Sequence, residues 1–102
     1  MNDSEAIRAL AAEQSEKAFE VLFERYKGMV FSVCQRGLGC AADAKDAVQQ
    51  VFLALHAKAG PVKPDVAVGG WLHKAALYEL RMMHRARRNR IAREEEAGRM
   101  AS

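Results

Sequence analysis

The chain has no apolar run approaching the roughly 20 residues of a membrane span. Its start, MNDSEAIRAL, lacks the basic and apolar regions of a secretory signal. Both absences predict a protein of the cytoplasm with no membrane partner. Cysteine is scarce: Cys34 and Cys40 are the only two, which in a cytosolic chain argues for free thiols rather than a disulfide framework. Together with His56, His73 and His84 they show no C-x-x-C or H-x-x-x-H spacing, so no metal site is expected. Apolar and polar residues nowhere alternate with period two, which leaves no strand to assign. No Gly-rich phosphate loop exists, and His73 and His84 have no Asp or Cys at triad-like positions. The carboxylate clusters are only Asp43 with Asp46 and the run Glu94, Glu95, Glu96, the latter reading as a solvated stretch. Neither catalysis nor a cofactor is expected.

What is present is charge, unevenly spread. The 102 residues carry a formal net charge of +3, but residues 71–93, WLHKAALYELRMMHRARRNRIAR, hold seven basic side chains and one acid, a net of +6. Residues 1–70 sum to −1 and residues 94–102 to −2. Such concentration points to a polyanionic partner, since clustered Lys and Arg gain by displacing counterions from phosphates. The same element carries Trp71 and, seven residues on, Tyr78. Cationic groups for a backbone and flat rings for unstacked bases are what single-stranded nucleic acid binding requires. A solvated basic helix with its Trp and Tyr in the core is the alternative that composition leaves open.

A chain of this length is one domain with one modest core. Asp3 or Ser4 could cap a first helix to about Ala12, with Ile7 and Leu10 inward. Ser15 then caps a second. Its apolar stripe is Phe19, Leu22, Phe23, Tyr26, Val30, Val33 and Cys34, at the spacing of an amphipathic helix. Gly28 in its middle suggests a kink or close packing, and Gly37 and Gly39 end it. A third helix, from about Ala42 to Lys58, buries Val48, Val51, Phe52 and Leu55. Asp46, Gln49, Gln50 and Leu53 lie on the opposite face, within an arc of about 100° at 100° per residue. Residues 60–65, holding both prolines, and then Gly69 and Gly70 read as the one long loop. The basic element follows as an unbroken helix, with Leu72, Ala76, Leu80 and Met83 as its apolar stripe and Trp71, Ala75 and Tyr78 beside it. From Arg85 onward apolar residues thin out, so that end should project beyond the core. The fold class is therefore all-α, a compact bundle of about four helices over residues 1–93. Residues 94–102 form the acidic start of a linker or a disordered tail.

Three blocks give this reading a more specific form: AFEVLFERY at 18–26, ADAKDAVQQVFL at 42–53 and GWLHKAA at 70–76, ahead of the Arg-rich tail. In order and spacing they resemble the region 2 domain of bacterial extracytoplasmic-function (ECF) sigma factors. The family's middle block typically reads A-D-A-E-D-V-V-Q-E-V-F-L and its last A-W-L-Y-R-I-A. The resemblance implies an all-helical domain that joins core RNA polymerase and recognises and helps to melt the promoter −10 element. By position, Asp46, Gln49, Gln50 and Leu53 fall on the helix that docks on the clamp helices of the largest polymerase subunit. Residues 71–90 cover the segment that meets the −10 element and takes the non-template strand. Lys74, Arg81, Arg85, Arg87, Arg88 and Arg90 are then the expected phosphate contacts, and Tyr78 with Trp71 the base contacts. The resemblance also leaves room for an anti-sigma partner.

The departures carry chemistry. Gln50 replaces a usual Glu, His56 a common Trp, and Cys40 a frequent capping Asp. Tyr78 stands where an Asn commonly lies, in the short loop that pockets an extruded base; a ring stacks on any base, whereas an amide reads edges. Family members usually continue through a linker into a helix-turn-helix domain for the −35 element, and the residues after Arg93 are too few for one. A sigma-like protein that occupies polymerase or a regulator without opening promoters is the second function expected on these grounds.

Overall fold

The structure is a computed structural model and describes residues 1–59 and 67–101. Four helices follow in order: α1 (Asp3–Glu13), α2 (Glu16–Leu38), α3 (Ala41–Ala57) and α4 (Val68–Ala101). No strand occurs among the described residues, and no described helix is long and apolar enough to cross a membrane. The prolines of the expected loop lie outside the described residues.

Helix α1 is capped one residue earlier than its sequence suggests. Asn2 accepts from the Glu5 N–H at 2.8 Å, and the Glu5 carboxylate accepts from the Asn2 N–H at 3.3 Å, a reciprocal capping box. Asp3, an expected cap, is engaged elsewhere: its carboxylate accepts from the Arg25 guanidinium and from the Tyr26 hydroxyl, tying α1 to α2. That hydrogen bond, reinforced by burial, raises the Tyr26 pKa. Ser15 caps α2 as expected, accepting from the Ala18 N–H at 3.1 Å, and Gly39, at φ +68, closes it.

Helix α2 packs against the other three, and α3 also packs on α4. Leu22, Val30 and Cys34 from α2 meet Ile7 and Leu10 from α1, Val51, Phe52 and Leu55 from α3, and Leu72 and Ala76 from α4, all buried. Phe19, Phe23 and Tyr26 close the rim, and the Phe23 and Phe52 rings meet edge to face with centroids 4.9 Å apart. The expected buried faces of α2, α3 and α4 are therefore the observed ones.

Four glycines behave differently from expectation. Gly28 is exposed with nothing packed on it, so it marks no close contact. Gly37 does not end α2 but lies inside it, where a Cβ would come within 2.6 Å of the Leu80 side chain; its bareness lets α4 approach. Gly69 and Gly70 belong to α4, not to the loop before it: Val68 is buried, and the Trp71 N–H already donates to the Ala67 carbonyl at 3.1 Å. Gly69 faces the Tyr26 ring, 3.2 Å from where its Cβ would stand, and that packing outweighs the weak helix propensity of glycine.

Cys40 takes the N-cap position of α3 with extended backbone but makes no side-chain cap bond. A thiol is a weak acceptor, so the first N–H groups of α3 lack the cap that an Asp supplies. Cys40→Asp is therefore expected to stabilise the domain by about 1 kcal/mol, read as a higher midpoint in urea unfolding with an unchanged slope. Cys40 is exposed and Cys34 buried, and both thiols are free.

Helix α4 dominates the shape. The molecule measures 60 × 23 × 20 Å, and at 1.5 Å per residue a 34-residue helix is about 50 Å long. Its buried stretch ends at Leu80, and from Arg85 to Ala101 every residue is exposed. Residues 94–101, read from sequence as the acidic start of a linker or tail, continue the helix, with Glu96 and Arg99 paired at 3.0 Å.

Candidate nucleic-acid interface

The local rule that shapes this face is helical periodicity. Ala76 is fully buried and sets the inward direction of α4. At 100° per residue, Trp71, Lys74, Tyr78, Arg81, Arg85 and Arg88 all fall within an arc of about 100° centred opposite it. Lys74, Tyr78, Arg81, Arg85 and Arg88 are exposed, Tyr78 by 54%. Trp71 is half-buried and packed against the core. Six of the eight expected nucleic-acid residues thus share one solvent-facing surface.

The other two do not. Arg87 and Arg90 lie within about 40° of the inward direction, past the point where the core ends. With Leu38, Asp43, Met83 and His84 they line a cavity of about 200 Å³ where α2, α3 and α4 meet. His84 anchors that corner: its Nε2 donates to the Gly37 carbonyl at 3.0 Å, one of the last carbonyls of α2, which have no partner within their own helix.

Tyr78 is not in a loop. It lies in the interior of α4, because nothing from Trp71 onward interrupts the helix. From there it borders a groove of about 480 Å³ between α3 and α4, lined by Val51, Ala54 and Lys58 on one side and Trp71, Lys74, Ala75, Tyr78 and Glu79 on the other. A ring at Tyr78 and an indole at Trp71 give the groove aromatic surface, and Lys58 and Lys74 give it cations. Lys58 and Glu79 are the charged groove residues that the sequence did not single out for binding. A signal for Lys58 was present: Val51, Ala54 and Lys58 recur at the i, i+3, i+7 spacing of one helix face, about 130° round α3 from its outer face.

That outer face is intact. Asp46, Gln49, Gln50 and Leu53 are all exposed, Leu53 by 60%, while Val48, Val51, Phe52 and Leu55 behind them are buried. Leu53 thus stands as one apolar side chain among polar ones on an exposed helix face. His56 stays exposed beside it, its ring edge-on to Phe19 at 5.6 Å.

A family model for sigma-70 region 2 matches residues 22–90. The chain belongs to the sigma-70 region 2 family. Its curated relatives lie in the ECF branch: the ECF RNA polymerase sigma factor SigM of Mycobacterium tuberculosis strain H37Rv is 33% identical over 73 residues, 72% of this chain and 37% of that protein. SigM of the Erdman strain is 35% identical over 57 residues, 56% of this chain and 29% of that one. The chain thus spans about a third of the length of the curated relatives that it matches. Among solved structures, an engineered region 2 of sigmaE, determined by NMR in complex with GTAAAA, superposes with a TM-score of 0.81 at 22% identity, covering 88% of this chain and 93% of that one. The four-helix arrangement is therefore that of a region 2 domain, with α3 carrying the outer face and α4 the basic one.

Proposed function

We propose that this region 2 domain joins core RNA polymerase through the outer face of α3 and holds the non-template strand of an opened −10 element on the outer face of α4, in the cytoplasm where polymerase works. The observation that carries the reading is the arc of α4 on which Trp71, Lys74, Tyr78, Arg81, Arg85 and Arg88 converge, all exposed except the half-buried Trp71. The cations neutralise phosphates as the strand is laid along the helix, and the rings receive bases turned out of the duplex. Turning out a base costs a few kcal/mol, and stacking returns about 1–3 kcal/mol per base, so the exchange is close to balanced and polymerase contacts tip it. No step needs a catalytic group from this chain. The chemistry is binding.

The α3 face supplies the test. Tagged wild-type chain is expected to retain core polymerase through its largest subunit. Leu53→Glu and Asp46→Arg are each expected to lower that retention tenfold or more, by burying a charge or reversing one at the contact. Their melting temperatures stay within about 2 °C of wild type, because surface substitutions cost little. Equal retention by the variants would remove α3 from the interface. Gln50, neutral and exposed where the family commonly has Glu, favours a second reading, occupation of polymerase without promoter opening. In that case polymerase is retained but the complex takes up no single strand.

A further inference from the structure

Glu79 is the one acid in residues 71–93, and it stands where an acid is least expected. It is half-buried and lines the groove between α3 and α4, with Trp71, Tyr78, Lys58 and Lys74 around the same space. Among the described residues it makes no hydrogen bond and no ion pair. Its carboxylate is felt across the core: burial pushes the Cys34 thiol up, and Glu79 pushes it further in the same direction. Beside a face built for phosphates its charge opposes the ligand. Neither the packing of α4 nor the phosphate contacts accounts for it.

The groove does. An ionised carboxylate only accepts hydrogen bonds, through two oxygens side by side. Beside aromatic surface it calls for a flat ring whose edge offers two adjacent donors. Of the four DNA bases, guanine alone offers that on its Watson–Crick edge, as N1–H next to the 2-amino group. Its O6, adjacent to them, is an acceptor suited to the ammonium of Lys58 or Lys74. Cytosine and adenine each set one amino group next to a ring-nitrogen acceptor, which would face the second carboxylate oxygen. Thymine has one N–H between two carbonyls.

We infer that the α3–α4 groove is a guanine pocket, in which Glu79 takes the N1–H and 2-amino donors while the rings of Trp71 and Tyr78 support the base. This rests on the strand-binding reading of α4 and makes it sequence-selective. Stacking alone would accept any base, whereas a good bidentate contact discriminates by about ten- to a hundredfold.

The test uses the 102-residue chain and fluorescein-labelled thymine nonamers carrying one central dG, dA, dC, deoxyinosine or dT, read by anisotropy at low salt. A short homopolymer context lets the single different base find the groove. Wild type is expected to bind the dG nonamer about ten- to a hundredfold more tightly than the dA, dC and dT ones. Deoxyinosine, which lacks only the 2-amino group, falls in between. Glu79→Gln, isosteric and helix-compatible, is expected to bring dG to within about twofold of dT, whereas Glu94→Gln, remote from the groove, preserves the preference. Circular dichroism confirms that both variants are folded. Wild-type affinities equal for all five nonamers, or a guanine preference that survives in Glu79→Gln, would overturn the inference while leaving strand binding standing. Failure to bind any nonamer would overturn the strand-binding reading and this one with it. Free dGMP competing as well as the dG nonamer would assign the groove to a mononucleotide and overturn the role in a strand.

Discussion

Reversing Arg81, Arg85 and Arg88 together to glutamate is expected to lower affinity for a single strand by roughly 10²–10³-fold at 50 mM salt. Each phosphate held on a single strand contributes about 0.7 to the slope of log affinity against log salt, so at 50 mM it is worth a little under one decade relative to 1 M. Removing all three cations should therefore cost between two and three decades there and about 1.5 decades at 200 mM, and should lower the slope by about 2. The three side chains are exposed on one arc of α4 and make no ion pair among the described residues, so the fold should be unaffected. The paired reversal of Arg87 and Arg90 is the internal control. Both face the corner with Leu38 and Asp43 rather than the outer arc, and their reversal is expected to change the slope by less than about 1. A titration series over salt, with the triple and double variants side by side, reads both numbers. Equal losses from the two sets would mean that the strand does not follow the outer arc.

Tyr78→Ala should act through a different physical route. Its ring is more exposed than buried and lies at the mouth of the α3–α4 groove, so removal leaves the core untouched and takes away a stacking surface. The expected cost is about 1–3 kcal/mol on single-stranded DNA, a five- to 150-fold loss, with the salt slope unchanged because stacking releases few counterions. Trp71→Ala is a poorer probe of the same role. Trp71 packs on the core, so its loss should weaken binding and stability together. Affinity measured beside the urea midpoint separates the two variants: Tyr78→Ala moves the first alone.

The helices and their inward faces were legible in sequence because periodicity is local and survives without knowledge of the partners. The stripes Phe19 to Cys34, Val48 to Leu55 and Leu72 to Leu80 all fall where 3.6-residue spacing puts them. What was not legible depended on residues far apart in the chain. Asp3 reads as a cap until Arg25 and Tyr26 arrive to bind its carboxylate. Gly69 reads as loop until the Tyr26 ring packs on it, and Gly37 reads as a terminator until Leu80 needs the space. His84 showed no partner in sequence because its acceptor is a backbone carbonyl 47 residues away. The division of the arginines is another matter. The 100° step already sets Arg87 and Arg90 apart from Arg81, Arg85 and Arg88, so net charge concealed what an angular count reveals. The placement of Tyr78 in a loop came from the family pattern, whereas the residues around it were helical on composition alone.

The central claim, that α4 holds an unpaired strand while α3 holds polymerase, is tested most directly by comparing single-stranded and duplex DNA on the assembled complex. Core polymerase loaded with this chain would be offered one random 20-nucleotide pool in single-stranded form and the same pool as duplex, and retention of each measured at 200 mM salt. The account predicts that the single-stranded pool is retained more strongly, that loading the chain is required for this, and that Tyr78→Ala removes most of the difference. Retention of the duplex as strong as that of the single strand, or no gain in single-strand retention when the chain is loaded, would contradict it.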